Sequence, residues 1–247
     1  MKMKDKNQIE TCFSPLLFPL FEKKDRLVIV ADIFRATSSI CAALDNGAKE
    51  VVAISDKEEC LKYKEQGYII AGEREGKVLD YADMGNSPEG FITPEIKGKS
   101  IVLNSTNGTR TIKIAGENNN QVVIGAFVNL NALVEYIIKS NKHVLIFCSG
   151  WKDHFSLEDS LFAGALSHNL LCKANNNYSI NCDATKAAID IWETAKNDPR
   201  KYIDKASHRD RLKHMNLDHV IDYCMSMSIT DVVPVLKNQK MIRSDNI

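Results

Sequence analysis

The sequence lacks an excess of either charge: Lys plus Arg and Asp plus Glu stand at 32 each in 247 residues. With no long basic run and no interleaving of aromatic and basic residues, the electrostatic footprint of a nucleic-acid binder is missing. No apolar run approaches the roughly 18 to 20 residues of a membrane helix, so no membrane association is expected. The nearest thing to a leader, Cys12 to Phe21, is broken by Pro15 and Pro19 and has no small-residue cleavage site after it. The seven cysteines include no Cys-x-x-Cys pair, which argues against a disulfide framework and a structural zinc site and fits reduced thiols in a cytoplasm. None has an Arg six positions on, as a cysteine-dependent phosphatase loop requires; after Cys148 that position is His154. Walker A, Gly-x-Ser-x-Gly and dinucleotide-binding glycine patterns are absent too, which excludes their chemistries. What remains is a protein for a small polar partner.

Leu27 to Ala31 reads as a buried parallel strand, and it ends in Asp32, Arg35, Thr37, Ser38 and Ser39 before helical spacing begins at Ala36. Open α/β sheets bind ligands at such strand ends, where a carboxylate can hold a divalent cation and an Arg with hydroxyls an anion. An Asp that merely caps the helix is the plainer alternative. Strands at Glu50 to Ile54 and Tyr68 to Ala71 flank a helix over Asp56 to Gln66, a βαβ pattern that implies a mostly parallel sheet. Ile9 to Phe13 suits an edge strand.

From Gly72 to Gly98 regular patterning stops and Gly, Pro and charged residues crowd together. Such a long irregular stretch suits a functional loop, with Glu73, Asp83 and Asn86 as hard oxygen ligands for magnesium, or a plain solvated loop. An echo follows. Val51 to Ile54 corresponds to Val122 to Gly125, 71 positions on, and Asp56 to Asn129, 73 positions on, so Leu103 to Arg110 stands as a counterpart of the opening strand-turn-helix. A third unit starts at His143, and Ser156 to Asp159 forms a capping box in which Glu158 and Asp159 either offset the helix dipole or face the site. After Asp183 the chain is mainly helical; His208, Arg209 and Arg211 form a basic cluster open to an anion or to solvent, and a closing strand, Val232 to Leu236, precedes a polar tail.

The acids Asp32, Glu73 and Asp83 and the cations Arg35, Arg74 and Arg110 together suit phosphoryl transfer or phosphate recognition. The Asp-x-Asp-x-Thr signature of aspartyl phosphatases is not met, because Asp32 is followed by Ile33 and Phe34.

Asp32 to Ile40, Gly72 to Gly76, Asp83 to Pro88, Ser105 to Arg110, Phe155 to Asp159 and Asp231 to Val235 resemble, in order, the blocks of the 2-phosphosulfolactate phosphatases, from about residue 10 to 240. The resemblance implies a magnesium-dependent phosphatase that converts 2-phospho-3-sulfolactate to sulfolactate and phosphate, a step of coenzyme M biosynthesis. It also implies two related α/β/α lobes with mostly parallel or mixed sheets and the active site in the cleft between them. The expected division is 1–98, which carries the acidic Gly-rich loop, and 99–247, unless the two form one compact unit. Asp32, Glu73 and Asp83 carry over as catalytic and metal-holding acids. Arg35, Arg74 and Arg110 carry over as anion holders, and Thr37, Asn86, Asn107, Thr109, Glu158 and Asp159 complete the expected substrate contacts. Which acid attacks or activates stays open, a covalent intermediate at Asp32 included. Two departures bear on specificity: Tyr81-Ala82 stands before Asp83 where Gly-Phe is common, and the bulky Trp151 to His154 follows Gly150. A non-catalytic sensor of a phosphorylated metabolite is the rival reading, and a homodimer is one open assembly state.

Overall fold

A computed structural model describes residues 6–21, 25–117 and 120–246. In chain order it comprises β1 (Asn7–Cys12), β2 (Arg26–Ala31), α1 (Ala36–Asp45), β3 (Glu50–Ala53), α2 (Lys57–Glu65), β4 (Ile69–Arg74), β5 (Lys77–Val78), β6 (Ser100–Asn104), α3 (Asn107–Glu117) and β7 (Gln121–Gly125). There follow α4 (Leu130–Ser140), β8 (His143–Cys148), α5 (Leu157–Lys173), β9 (Tyr178–Ser179), α6 (Asp183–Ala195), α7 (Pro199–Tyr202), α8 (Ser207–His214), α9 (Val220–Met225), β10 (Pro234–Lys237) and β11 (Lys240–Arg243). The class is α/β, built on one mixed sheet in the order β5-β4-β6-β3-β11-β10-β7-β2-β8-β1-β9.

Two parallel groups make up this sheet. On one side β3 and β4 both flank β6; on the other β7 and β8 flank β2 over nearly its whole length, and β1 adds parallel to β8. A C-terminal hairpin joins the groups, with Val235 of β10 opposite Val123 of β7 and Met241 of β11 opposite Val51 of β3. The polar tail expected after the closing strand is therefore a strand. Asn238 and Gln239 both adopt positive φ (50° and 63°), which suits the two-residue turn of a right-twisted hairpin. Met241 is buried beneath β11 and Lys240 binds Glu50 at 2.8 Å, so short-range polarity concealed a sheet position. β1, expected as an edge strand over Ile9 to Phe13, is flanked on its outer side only at Asn7 and Gln8, by the two-residue β9.

The echo has a topological counterpart. β2-α1-β3-α2-β4 and β6-α3-β7-α4-β8 are the same series of elements, and β3 and β7 each stand beside the hairpin. The first strand of each series lies in the other's group: β2 sits between β7 and β8, and β6 between β3 and β4. Residues from both sides of position 98 thus alternate within the sheet. α1 and α3 are the connections that cross between groups. α1 is buried from Ala36 to Leu44, and its polar side chains are satisfied locally: Ser38 donates to the Ile33 carbonyl (3.0 Å) and Ser39 to that of Asn86 (2.7 Å). Leu27, Val28, Ile29 and Val30 are fully buried, each worth about 1.5 to 3 kcal/mol of transfer free energy. Among the described residues no helix is long and apolar enough to cross a membrane.

Candidate active site

Asp32 sits where the chain leaves β2, only 9% exposed. Its backbone is clamped by Thr37, whose hydroxyl accepts from the Asp32 N–H (3.1 Å) and donates to the Asp32 carbonyl (2.9 Å), while Ala36 N–H approaches Oδ1 at 3.4 Å. Across from it comes the first turn of α3. The Cβ position of Gly108 lies 2.7 Å from Asp32 Oδ2 and 2.4 Å from Ala36 Cβ, so only glycine admits this approach. Two helix starts from the two halves of the echo therefore meet at one carboxylate, each with first-turn N–H groups that lack intrahelical partners.

Behind Asp32 stand two more buried acids, Glu158 and Asp159, each 2% exposed, in the capped first turn of α5. Asp159 accepts the N–H of Ile33 (2.9 Å) and of Gly150 (3.0 Å), which ties the ends of β2 and β8 together. Gly150 has φ +59°, and a Cβ there would lie 2.3 Å from the His154 carbonyl oxygen. Glu158 is bound at 2.6 Å by Nδ1 of His208, brought in by α8, and the His208 ring meets Phe34 edge-on at 5.8 Å.

Crowding sets the protonation chemistry. Burial pushes the Asp32 carboxyl up from 3.8 to about 6, helped by the charge of Glu158 and opposed by His208, the Ala36 N–H and Arg35. Asp159 is driven well above its ordinary value by burial and by the charges of Glu158 and Asp32, against the pull of its two N–H bonds. For Glu158, burial also acts upward, but the hydrogen bond and charge of His208 win and hold it below its ordinary range. The cluster thus carries more carboxylate than fixed positive charge.

Arg35 connects this cluster to the other strand group, binding Glu73 at 2.5 Å and the Ser87 hydroxyl at 2.5 Å. Arg74 donates to Thr106 Oγ1, also in the turn after β6. Asn86 lies in the same loop as Ser87, its carbonyl taken by Ser39 and its amide nitrogen 3.4 Å from the Asn104 carbonyl. Of the remaining expected residues, Asn107 lies next to Gly108 at the α3 start that meets Asp32, while Asp83, Arg110 and Thr109 bond outside the acid cluster. Asp83 accepts the Ile70 N–H (2.9 Å) at the start of β4 and pairs with Lys64 (2.7 Å), three residues before the strand end that bears Glu73. Arg110 points to Asp153 (2.7 Å). Asn107 begins α3, and Thr109 spends its hydroxyl on the Ser105 carbonyl in the turn before that helix. Thr109 also lines a cavity of about 610 Å³ beside α3, together with Ile54, Asp56, Lys113 and Asn238; none of its lining residues belongs to the acid cluster.

The basic cluster of His208, Arg209 and Arg211 is visible in the sequence, but the pairing of His208 with Glu158 is not, because only the long return of the chain after α6 brings the two together. Ser149 was not singled out; its N–H bonds the Ala31 carbonyl (2.8 Å) and its hydroxyl is buried without a partner. As to metal, no three His, Cys, Asp or Glu side chains converge on ligand spacing among the described residues. The donor set instead offers a partly uncompensated Asp32, with the unpartnered buried hydroxyl of Ser149 on the residue whose N–H bonds the end of β2. That fits a hard cation such as magnesium, which commonly takes one or two protein carboxylates and fills its shell with water and substrate phosphate.

An α/β protein with strand-end carboxylates, arginines and paired helix starts belongs in class with hydrolases of small phosphate esters. The family model described as 2-phosphosulpholactate phosphatase matches residues 12–239. A relative from Caldanaerobacter subterraneus is 34% identical over 219 residues, 87% of this chain and 89% of its own. One from Thermotoga maritima is 37% identical over 214 residues (86% and 90%), and one from Clostridium beijerinckii 34% over 222 (88% and 92%). All three bear the name "probable 2-phosphosulfolactate phosphatase". The chain belongs to the 2-phosphosulfolactate phosphatase family, whose members are phosphoric monoester hydrolases.

Proposed function

We propose that this protein hydrolyses the phosphate ester of 2-phospho-3-sulfolactate, or of a closely related small 2-phospho acid, in a magnesium-dependent reaction at Asp32. The reading is carried by the meeting of α1 and α3 over a buried, charge-excess carboxylate. Phosphate oxygens are bound by first-turn N–H groups and by Arg35, which Glu73 and Ser87 hold in place. Asp32 is the residue that would hold the cation. When bound, magnesium supplies positive charge against the phosphoryl oxygens. Its Nδ1 fixed by Glu158, His208 keeps its second ring nitrogen free to exchange a proton with the leaving oxygen or with water. Five of the seven cysteines are buried and all are free, which suits a reducing cytoplasm.

Phosphate release from a panel of small 2-phospho acids, with and without magnesium, tests the reading. Turnover of the sulfonated ester that EDTA abolishes and magnesium restores is expected. Ligand-induced stabilisation without turnover of any ester would instead make the protein a sensor of phosphorylated metabolites.

A further inference from the structure

The basic cluster on α8 is not used up by the reaction centre. His208 is taken by Glu158, and Arg209 by Asp204 (2.7 Å) with Asp218 at 3.6 Å. Arg211, three residues beyond His208 and so on the same side of the helix, makes no side-chain hydrogen bond or ion pair with any described residue, and its Nε is buried without an acceptor. Its guanidinium instead lies over the Trp151 ring, 4.0 Å from the centroid, while Lys152 Nζ stands 4.6 Å from the same ring. Trp151 is rigidly mounted. It exchanges two backbone bonds of 3.0 Å with His154 across a tight turn, and Asp153 in that turn is bound by Arg110 (2.7 Å) and, at its carbonyl, by Ser14 (2.6 Å). The turn follows directly on Gly150, whose N–H holds Asp159, and the charge of Glu158 reaches Arg211. Farther along, Met215 packs against Gly76 of the β4–β5 turn, so the α8 segment touches both strand groups around the cluster.

We infer that Arg211, laid on Trp151, is the receptor for the second anionic group of the substrate, the sulfonate or carboxylate remote from the phosphate. The inference rests on the phosphatase reading and assigns its specificity. A guanidinium partly removed from water, oriented by an aromatic face and left without a counterion, is preorganised for an oxyanion that arrives with the ligand. Arg35 does not take this part, because Glu73 and Ser87 hold it beside Asp32, where its remaining donors serve the phosphate. The sulfur or carbon oxyanion then sits toward α8, and the phosphate toward the starts of α1 and α3.

Kinetics with two esters test this, one 2-phospho acid bearing a sulfonate and one plain monoester, phenyl phosphate, without a second anion. Arg211→Met is expected to raise KM for the sulfonated ester about tenfold to a hundredfold, the range for one bond between charged groups, and to leave kcat/KM for phenyl phosphate within about twofold. Trp151→Leu is expected to raise the same KM by about threefold to tenfold, and Arg211→Lys to recover part of the loss. Equal losses on both esters, or none, would overturn the assignment. Thermal shifts separate it from the parent reading: 3-sulfolactate is expected to raise the Tm of wild type but not of Arg211→Met, while inorganic phosphate raises both. If wild type turns over no ester, the phosphatase reading fails and these shifts still decide; an equal sulfolactate shift in both proteins, or none in wild type, overturns the role of Arg211. Should Arg211→Met fail to fold, Arg211→Lys and Trp151→Leu carry the same comparison.

Discussion

The two strand groups present their acids in opposite conditions. Around β2 and β8, Asp32, Glu158 and Asp159 are buried together with His208 bound to Glu158 alone, and two of the three are pushed toward protonation. Around β4, Glu73 and Asp83 each have a cation of their own, Arg35 and Lys64. Asp83, partly solvated, feels burial upward, but the Lys64 bond and the Ile70 N–H outweigh it and lower its pKa. Carboxylates that look alike in a sequence are thus divided by burial and counter-charge.

The largest break of this contrast is Asp32→Asn. Loss of about a hundredfold to ten-thousandfold in kcat/KM is expected, with magnesium dependence gone, as measured by phosphate release. Fold stability should move the other way. In the metal-free native state Asp32 keeps its proton to about pH 6, whereas the unfolded chain releases it near 3.8. Between those values the native state binds more protons, so this group makes stability fall as pH rises, and the loss is complete above about 6. Urea titrations of the metal-free protein from pH 4 to 7 should show that slope in wild type and a flatter one in Asp32→Asn. A variant as pH-dependent as wild type would mean that Asp32 is not the strained acid.

Next comes the bridge between the groups. The Arg35–Glu73 pair is nearly excluded from water, at 10% and 7% side-chain exposure, and removing one partner of such a pair costs about 3 to 5 kcal/mol. Glu73→Gln is expected to lower midpoint stability by part of that amount and activity by about tenfold to a hundredfold, since Arg35 loses its anchor. Activity at the wild-type level would show that Arg35 is positioned by Ser87 alone. A smaller effect belongs to His208→Gln, which keeps a donor for Glu158 but removes the proton exchange: kcat should fall about tenfold with KM little changed, and a rise in KM alone would make the ring a binding group.

Much of this was legible in the sequence where local pattern and tertiary role coincide. β2 is marked by an unbroken apolar run, Asp32 by its place at the strand end, and the repeated series of elements by the spacing of β3 and β7. What stayed hidden depends on distant chain segments. β11 has the composition of a tail and becomes a strand only because β3 and β10 lie open beside it. His208 reaches Glu158 across 50 positions of sequence, and no short-range signal marks that pairing. Asp83, by contrast, lies in a motif-like stretch, yet its oxygens are occupied by Lys64 and the Ile70 N–H, which pattern alone does not show.

Asp83→Asn is therefore the sharpest small test. Its ion pair with Lys64 is 40% exposed on both sides, so solvent screens it and its loss should cost at most about 1 kcal/mol at neutral pH. Because the native pKa of Asp83 is lowered, its contribution is present above the unfolded value of 3.8 and disappears as pH falls below it. Wild type and Asp83→Asn should accordingly differ slightly at pH 7 and converge as the pH is taken progressively below 3.8, the reverse of the behaviour at Asp32. Activity and magnesium affinity, measured by turnover against metal concentration, should stay within about twofold, since Asn still accepts the Ile70 N–H. A tenfold loss of magnesium affinity would instead place Asp83 among the metal-holding acids, and the division between crowded and paired carboxylates would no longer mark the reaction centre.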